Sequence, residues 1–219
     1  TATPCAAGGS NAMAALRQRG ETLIGLLVGL AVGLVVLAAG TQMLGQHLRS
    51  HRLNLQSSHL QHDLRTALDW MTRELRQAQY SAQAWQTRSP STCNDTFCDG
   101  LEDFSIEDDW IDFSRDRNHN GKQDDDECLG FRLSDQALMV RRSCSGSGNW
   151  LPLTDRHSLE VTALTWQLQC TLRQGWLHRS VRVTLTGQWP GDATQTFSLS
   201  QTVHLRNDLP ASAQALYCP

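Results

Sequence analysis

The chain has 219 residues, with 19 Lys and Arg against 22 Asp and Glu, for a formal charge of −3. That balance lacks the basic excess of a nucleic-acid binder, so no nucleic-acid partner is expected. Charged residues at 19 % and hydrophobic ones at 40 % exclude a chain that is disordered throughout, and seven cysteines point to an oxidising compartment or a metal site.

Residues 1–12 lie upstream of a plausible start at Met13, and Ser10-Asn11-Ala12 resembles a tag scar, so fold reasoning begins at Met13. Thr22 to Gly45 holds no Asp, Glu, Lys, Arg or His. About 20 apolar residues suffice for a helix to cross the hydrocarbon core, so this stretch reads as a membrane span. A cleaved signal sequence fits less well, because its apolar core runs only ~7–15 residues. Arg17 and Arg19 precede the span and Arg49 and Arg52 follow it, so flanking charge says little about orientation. Gly25, Gly29 and Gly33 recur every four residues, a small-residue stripe along which another helix could pack closely.

The helical pattern continues past the span. Leu53, Leu60, Leu64, Ala67, Leu68, Met71, Leu75 and Ala78 follow three- and four-residue steps, and no Pro or Gly interrupts Gln46 to Tyr80. One helix of roughly 90 Å is expected, its second half laying an apolar stripe on a sheet.

Arg19-Gly20-Glu21-Thr22-Leu23-Ile24 resembles the leader junction of type IV pilins and type II secretion pseudopilins. Asp63-Leu64-Arg65 and Arg73 to Tyr80 look like the helix end of PilW-like minor pilins. Leu129 to Leu133 and Cys144 to Trp150 look like prepilin peptidase-dependent protein B. The resemblance implies a leader at 13–20, cleavage by the prepilin peptidase between Gly20 and Glu21, and N-methylation of Glu21. It implies a transmembrane helix over 21–46, its amphipathic continuation over 47–80 and a periplasmic β-rich body over 81–219. The expected location is the inner membrane, single-pass, and the pilus tip after assembly. Other minor pilins, the major pilin and the prepilin peptidase are the expected partners. Two positions depart from the family pattern: Glu21 stands where Phe or Met is usual, and Gly25 where the fifth mature residue is usually Glu. Loss of that Glu is the mark of a subunit with none above it, which implies a tip-proximal place. A minor pseudopilin of type II secretion and a tip adhesin or DNA-capture module are the alternatives.

Beyond Tyr80, Ser81 to Gly100 reads as loop. Strands are expected at Trp110–Ser114, Gly130–Leu133, Ala137–Arg142, Leu159–Cys170, Leu177–Gln188 and Thr194–Leu205. Val181, Val183 and Leu185 alternate with Arg182, Thr184 and Thr186, as in a sheet with one buried face. The fold class is α+β and pilin-like, a long N-terminal helix packed on an antiparallel sheet. Trp166, Trp176 and Trp189 read as core or sheet-edge residues.

Cys93, Cys98, Cys128, Cys144, Cys170 and Cys218 form an even set that reads as disulfides, with Cys5 upstream. Six cysteines allow 15 pairings. The least nested is Cys93–Cys98, Cys128–Cys144 and Cys170–Cys218; zinc is the alternative, though no pair has the short gap zinc sites favour.

Asp116 to Glu127 fits the twelve-residue calcium loop. Asp116, Asn118 and Asn120 take positions 1, 3 and 5, Gly121 the sharp turn, Lys122 the carbonyl, Asp124 position 9 and Glu127 the closing carboxylate. All donors are hard oxygens, so a structural Ca²⁺ is expected rather than a soft metal. The flanks read as strands, and similar loops occur in related pilins. Asp126 is the alternative closing ligand, and a solvated acidic turn is the plainer reading.

No phosphate loop, His-Glu-x-x-His or nucleophile elbow is present. Gly146-Ser147-Gly148 reads as a turn. His47, His51, His59 and His62 fall on the long helix, where the last three could share a face. Glu102, Asp103, Glu107, Asp108 and Asp109 read as a solvated loop or an extension of the calcium site. Arg141, Arg142, Arg173, Arg179 and Arg182 are too scattered for a DNA stripe. The chain is expected not to be an enzyme.

Overall fold

The computed structural model describes residues 22–145 and 149–218. The leader, the Gly20–Glu21 bond, the methylation position Glu21, Cys5 and the Gly146-Ser147-Gly148 turn lie outside them. The chain divides into two compact units, Thr1–His51 and Arg52–Pro219.

Helix α1 spans Leu23–Leu75. At its start the Thr22 hydroxyl accepts the Gly25 amide at 3.4 Å, supplying one of the partners that helix N-termini lack. It ends before the expected Tyr80. The amides of Gln77 and Ala78 turn to the carbonyls of Glu74 and Leu75, each at 3.0 Å, in tighter three-residue turns. Gln79 then takes a left-handed φ of 55°. Its amide donates to the Ser114 carbonyl at 2.7 Å, its carbonyl accepts from Arg88 at 2.9 Å, and its side-chain carbonyl accepts from Arg179. Tertiary hydrogen bonds thus replace the helical ones.

Within Arg52–Pro219, a hairpin pairs β1 (Arg88–Ser89) with β2 (Thr92–Cys93) in the stretch expected to be loop. A five-stranded antiparallel meander follows: β3 (Phe104–Ile106), β4 (Trp110–Ser114), β5 (Cys128–Ser134), β6 (Ala137–Arg141) and β7 (Trp150–Pro152). In the second sheet, β9 (Trp176–Trp189) pairs with β8 (Glu160–Arg173) on one side. On the other it pairs with β10 (Asp192–His204) and the short β11 (Leu209–Pro210). Strands β8 and β9 run on past the expected Cys170 and Leu177 to pair Arg173 with Trp176. The connection is two residues, Gln174 and Gly175, at φ 51° and 82°, a hairpin turn that keeps the ladder paired to its end. Apolar alternation stops earlier, with Leu172 49 % exposed, so it under-reads the strands.

The core gathers Leu60, Leu64, Ala67, Leu68, Met71 and Leu75 of α1 with Phe113, Phe131 and Leu138 of the meander and Leu164, Trp166, Val181, Val183 and Leu185 of the second sheet. Leu53 of the expected stripe is instead exposed, two turns before Leu60. Phe131 has ring centroids of Trp70 at 5.3 Å, Phe113 at 6.2 Å and Trp166 at 6.4 Å. Helix and sheet approach closely at Gly187, where an added Cβ would lie 2.7 Å from Leu159 Cδ1 and 3.0 Å from Leu64 Cδ2. Trp166 is core, while Trp176 and Trp189 are half-buried.

Candidate functional site

The N-terminal part of α1 is long and apolar enough to cross a membrane. From Leu23 to Leu48 its large apolar side chains are 56–76 % exposed. A Cβ added at Gly29 or Gly33 meets nothing within 4 Å, and one at Gly25 meets only the Thr22 hydroxyl at 3.5 Å. The chain's own packing therefore does not require these glycines. Among the described residues, the histidines of α1 form no ligand cluster; the one trio of His, Cys, Asp or Glu ligand atoms within 4.8 Å is Cys93, Asp95 and Cys98.

Those two cysteines are bonded to each other. The disulfides are Cys93–Cys98, Cys128–Cys144 and Cys170–Cys218, with Cα separations of 6.0, 4.9 and 6.3 Å. The second closes the base of the acidic loop, and the third joins β8 to the C-terminal turn.

The acidic loop runs between β4 and β5. Asp116 is 1 % exposed. Its Oδ2 accepts the amides of Gly121 at 3.1 Å and Ala82 at 2.9 Å, while its buried Oδ1 has no donor. Glu127, also 1 % exposed, accepts the amides of Arg117 at 2.7 Å, Asn118 at 3.1 Å and Asp124 at 3.0 Å. The side-chain carbonyls of Asn118 and Asn120 accept the amides of Asn120 and Lys122. Their side-chain NH₂ groups donate to Asp124 Oδ2 at 2.6 and 2.9 Å. Gly121 turns the chain at φ 72°, and a Cβ there would strike the Gln83 side chain at 2.6 Å. Asp126 faces outward, 3.7 Å from Arg117.

A family model, prepilin peptidase-dependent protein B, matches residues 53–205, from within α1 to just past β10. The chain belongs to this prepilin peptidase-dependent, pilin-like family. Neither the curated proteins nor the solved structures gave a match.

This family member carries a buried polar cluster that sequence reasoning missed. Arg179 is 2 % exposed, bonded to Gln79 and to the Asn207 carbonyl at 3.2 Å. It lies 5.0 and 5.6 Å from the Phe104 and Tyr217 ring centroids. Burial pushes its guanidinium down to about 9, which still leaves it charged at neutral pH. It is therefore no part of a basic surface. Asp103, expected in a solvated loop, is fully buried. It accepts from the Ser114 hydroxyl at 2.8 Å, the Gly100 amide at 3.2 Å and the Gln123 side chain of the acidic loop at 3.3 Å. The hints in the sequence are Arg179's place in step with Val181, Val183 and Leu185 and Asp103's place beside Phe104, where strand β3 starts.

Burial pushes the Asp103 carboxyl up to about 7, against the lowering effect of the Ser114 and Gly100 hydrogen bonds. Unfolded, it titrates near 3.9, so the folded state holds the extra proton between about 4 and 7. Its contribution to stability is full below that window and is lost as pH rises through it. Asp103→Asn should therefore gain melting temperature relative to the unaltered chain on moving from pH 5 to pH 8. An unchanged difference between those two pH values would refute the assignment.

Proposed function

We propose that this chain is a minor pilin, a structural subunit that primes or caps a type IV pilus. The observation that carries the proposal is the family match joined to a helical stretch, Leu23 to Leu48, whose large apolar side chains are exposed. Such a surface is satisfied by lipid before assembly and by neighbouring helices after it. The glycines at 25, 29 and 33 allow close approach there and serve no contact within the chain. The body is periplasmic, where the three disulfides are stable. The partners are other minor pilins, the major pilin and the prepilin peptidase. The role is mechanical, with no catalysis.

Gly25 supports a place near the tip. A carboxylate at that position would give the subunit above something to pair with, and glycine offers nothing. It also spares the helix a charge in lipid.

The test is mass spectrometry of the N-terminus after expression from Met13 with and without the prepilin peptidase. The expected result is a peptidase-dependent product beginning at methylated Glu21. An intact leader, or the same product without the peptidase, would overturn the proposal.

A further inference from the structure

We infer that the loop Asp116–Glu127 binds one Ca²⁺ ion, and that the ion braces the chain leaving α1 against the meander. The inference is independent of the pilin reading. Its starting point is the pair of carboxylates that the fold buries in this loop. Asp116 and Glu127 are each 1 % exposed. Among the described residues, no Lys, Arg or His nitrogen lies within 4.0 Å of either. Burying an unpaired carboxylate is costly, and proteins compensate with a counter-charge or a metal. Glu127 is partly served by three amides, but Asp116 keeps one buried oxygen, Oδ1, with no donor at all. That oxygen belongs to position 1 of the loop, the position that supplies a direct ligand. Its twin Oδ2 is bound to the amide of Gly121 at the loop's own turn and to that of Ala82, so the carboxylate sits between the loop and the segment after α1.

The remaining ligand positions follow on the same loop. Asn118 and Asn120 converge through their NH₂ groups on Asp124 Oδ2, two donors standing where a cation would. Turned over on an arriving cation, the same amides present oxygen there and give up their bonds from the Asn120 and Lys122 amides. The carboxylates of Asp116, Asp124 and Glu127 do not form a trio within 4.8 Å of one another. The ligand set therefore has to include the Asn118 and Asn120 carbonyls and the Lys122 main-chain carbonyl. A mixed oxygen set of six or more donors on a flexible loop suits Ca²⁺. Mg²⁺ demands a tight octahedron and keeps its waters.

The loop also explains what the ion does. The Asp116 amide donates to the Tyr80 carbonyl at 2.8 Å, and Asp116 Oδ2 accepts from Ala82 at 2.9 Å. Arg115, the preceding residue, is paired with Glu74 of α1 at 2.7 Å. Ligand position 1 is thus bonded on both its main-chain and side-chain groups to the segment just after α1.

The experiment is calcium titration calorimetry and thermal unfolding of the full chain in detergent micelles. Chelator, CaCl₂ and MgCl₂ are compared for the unaltered chain, Asp116→Asn and Asn120→Ala. Saturable binding of one Ca²⁺ is expected, with Kd of about 10⁻⁴–10⁻³ M. Calcium about a hundredfold above Kd should raise the melting temperature by roughly 5–10 °C over chelator. Equal magnesium should give a clearly smaller rise. Each variant should weaken binding at least about tenfold. Asn120 is exposed, so its variant keeps the fold even if Asp116→Asn does not. Absence of saturable binding, an equal effect of magnesium, or undiminished binding in Asn120→Ala would each overturn the inference.

Discussion

Arg88→Ala should destabilise the body by about 3–5 kcal/mol, the range for removing one partner of a buried ion pair. Arg88 and Asp95 have side chains only 3 % and 4 % exposed. The guanidinium grips both carboxylate oxygens, Nε to Oδ2 at 2.7 Å and an NH₂ group to Oδ1 at 2.9 Å. The same NH₂ group holds the Gln79 carbonyl beyond α1. Without Arg88, Asp95 keeps only the Thr87 hydroxyl and the Phe97 amide, too little for a buried charge. Burial alone would raise the Asp95 carboxyl, but its hydrogen bonds and the Arg88 charge outweigh that and hold it below the usual range. Its stabilising effect is therefore complete above the unfolded carboxyl pKa near 3.9 and is lost as pH falls below it. This is the opposite sense to Asp103. Arg88→Met with Asp95→Leu should recover much of the loss, because an apolar pair leaves no charge stranded. Urea unfolding followed by tryptophan fluorescence checks both variants. A loss under about 1 kcal/mol for Arg88→Ala would contradict the assignment.

Replacing Cys170 and Cys218 by Ala should cost about 4 kcal/mol through the freedom restored to the unfolded chain. These residues are 48 apart in sequence, against 16 for Cys128–Cys144 and 5 for Cys93–Cys98. The closed-loop entropy orders the three at about 4, 3 and 2 kcal/mol. Native contacts support the first as well. Tyr217, next to Cys218, is buried, edge-on to Phe104, and donates to the Gly100 carbonyl at 2.7 Å. Denaturant midpoints of the three double-Ala variants should follow that order. The largest loss falling on Cys93–Cys98 would contradict it.

The pattern of residues carried the long helix and most of the sheet framework, because both follow from local periodicity. The apolar run from Thr22 to Gly45 needs no partner to be read as helix. Val181, Val183 and Leu185 mark the buried face of β9 by alternation alone. The least nested cysteine pairing is the one the fold adopts. The prepilin-like junction at Gly20 and Glu21 rests on the sequence alone.

Other features depend on residues far apart in the chain. Helix α1 stops at Leu75 because Ser114, Arg88 and Arg179 supply hydrogen bonds to Gln79 that a further turn of helix would have to forgo. Arg179 falls in step with Val181, Val183 and Leu185 on the buried face of β9, and it is Phe104 and Tyr217, distant in the chain, that cover its charge. Asp103 lies in an acidic stretch that looks solvated, yet the fold closes over it. Nothing local distinguishes Asp103 from its exposed neighbours, and nothing local names the partners of Gln79 or Arg179. Burial and hydrogen-bond partners are properties of the assembled sheet and helix, so local pattern sets the elements while their packing selects which polar groups they enclose.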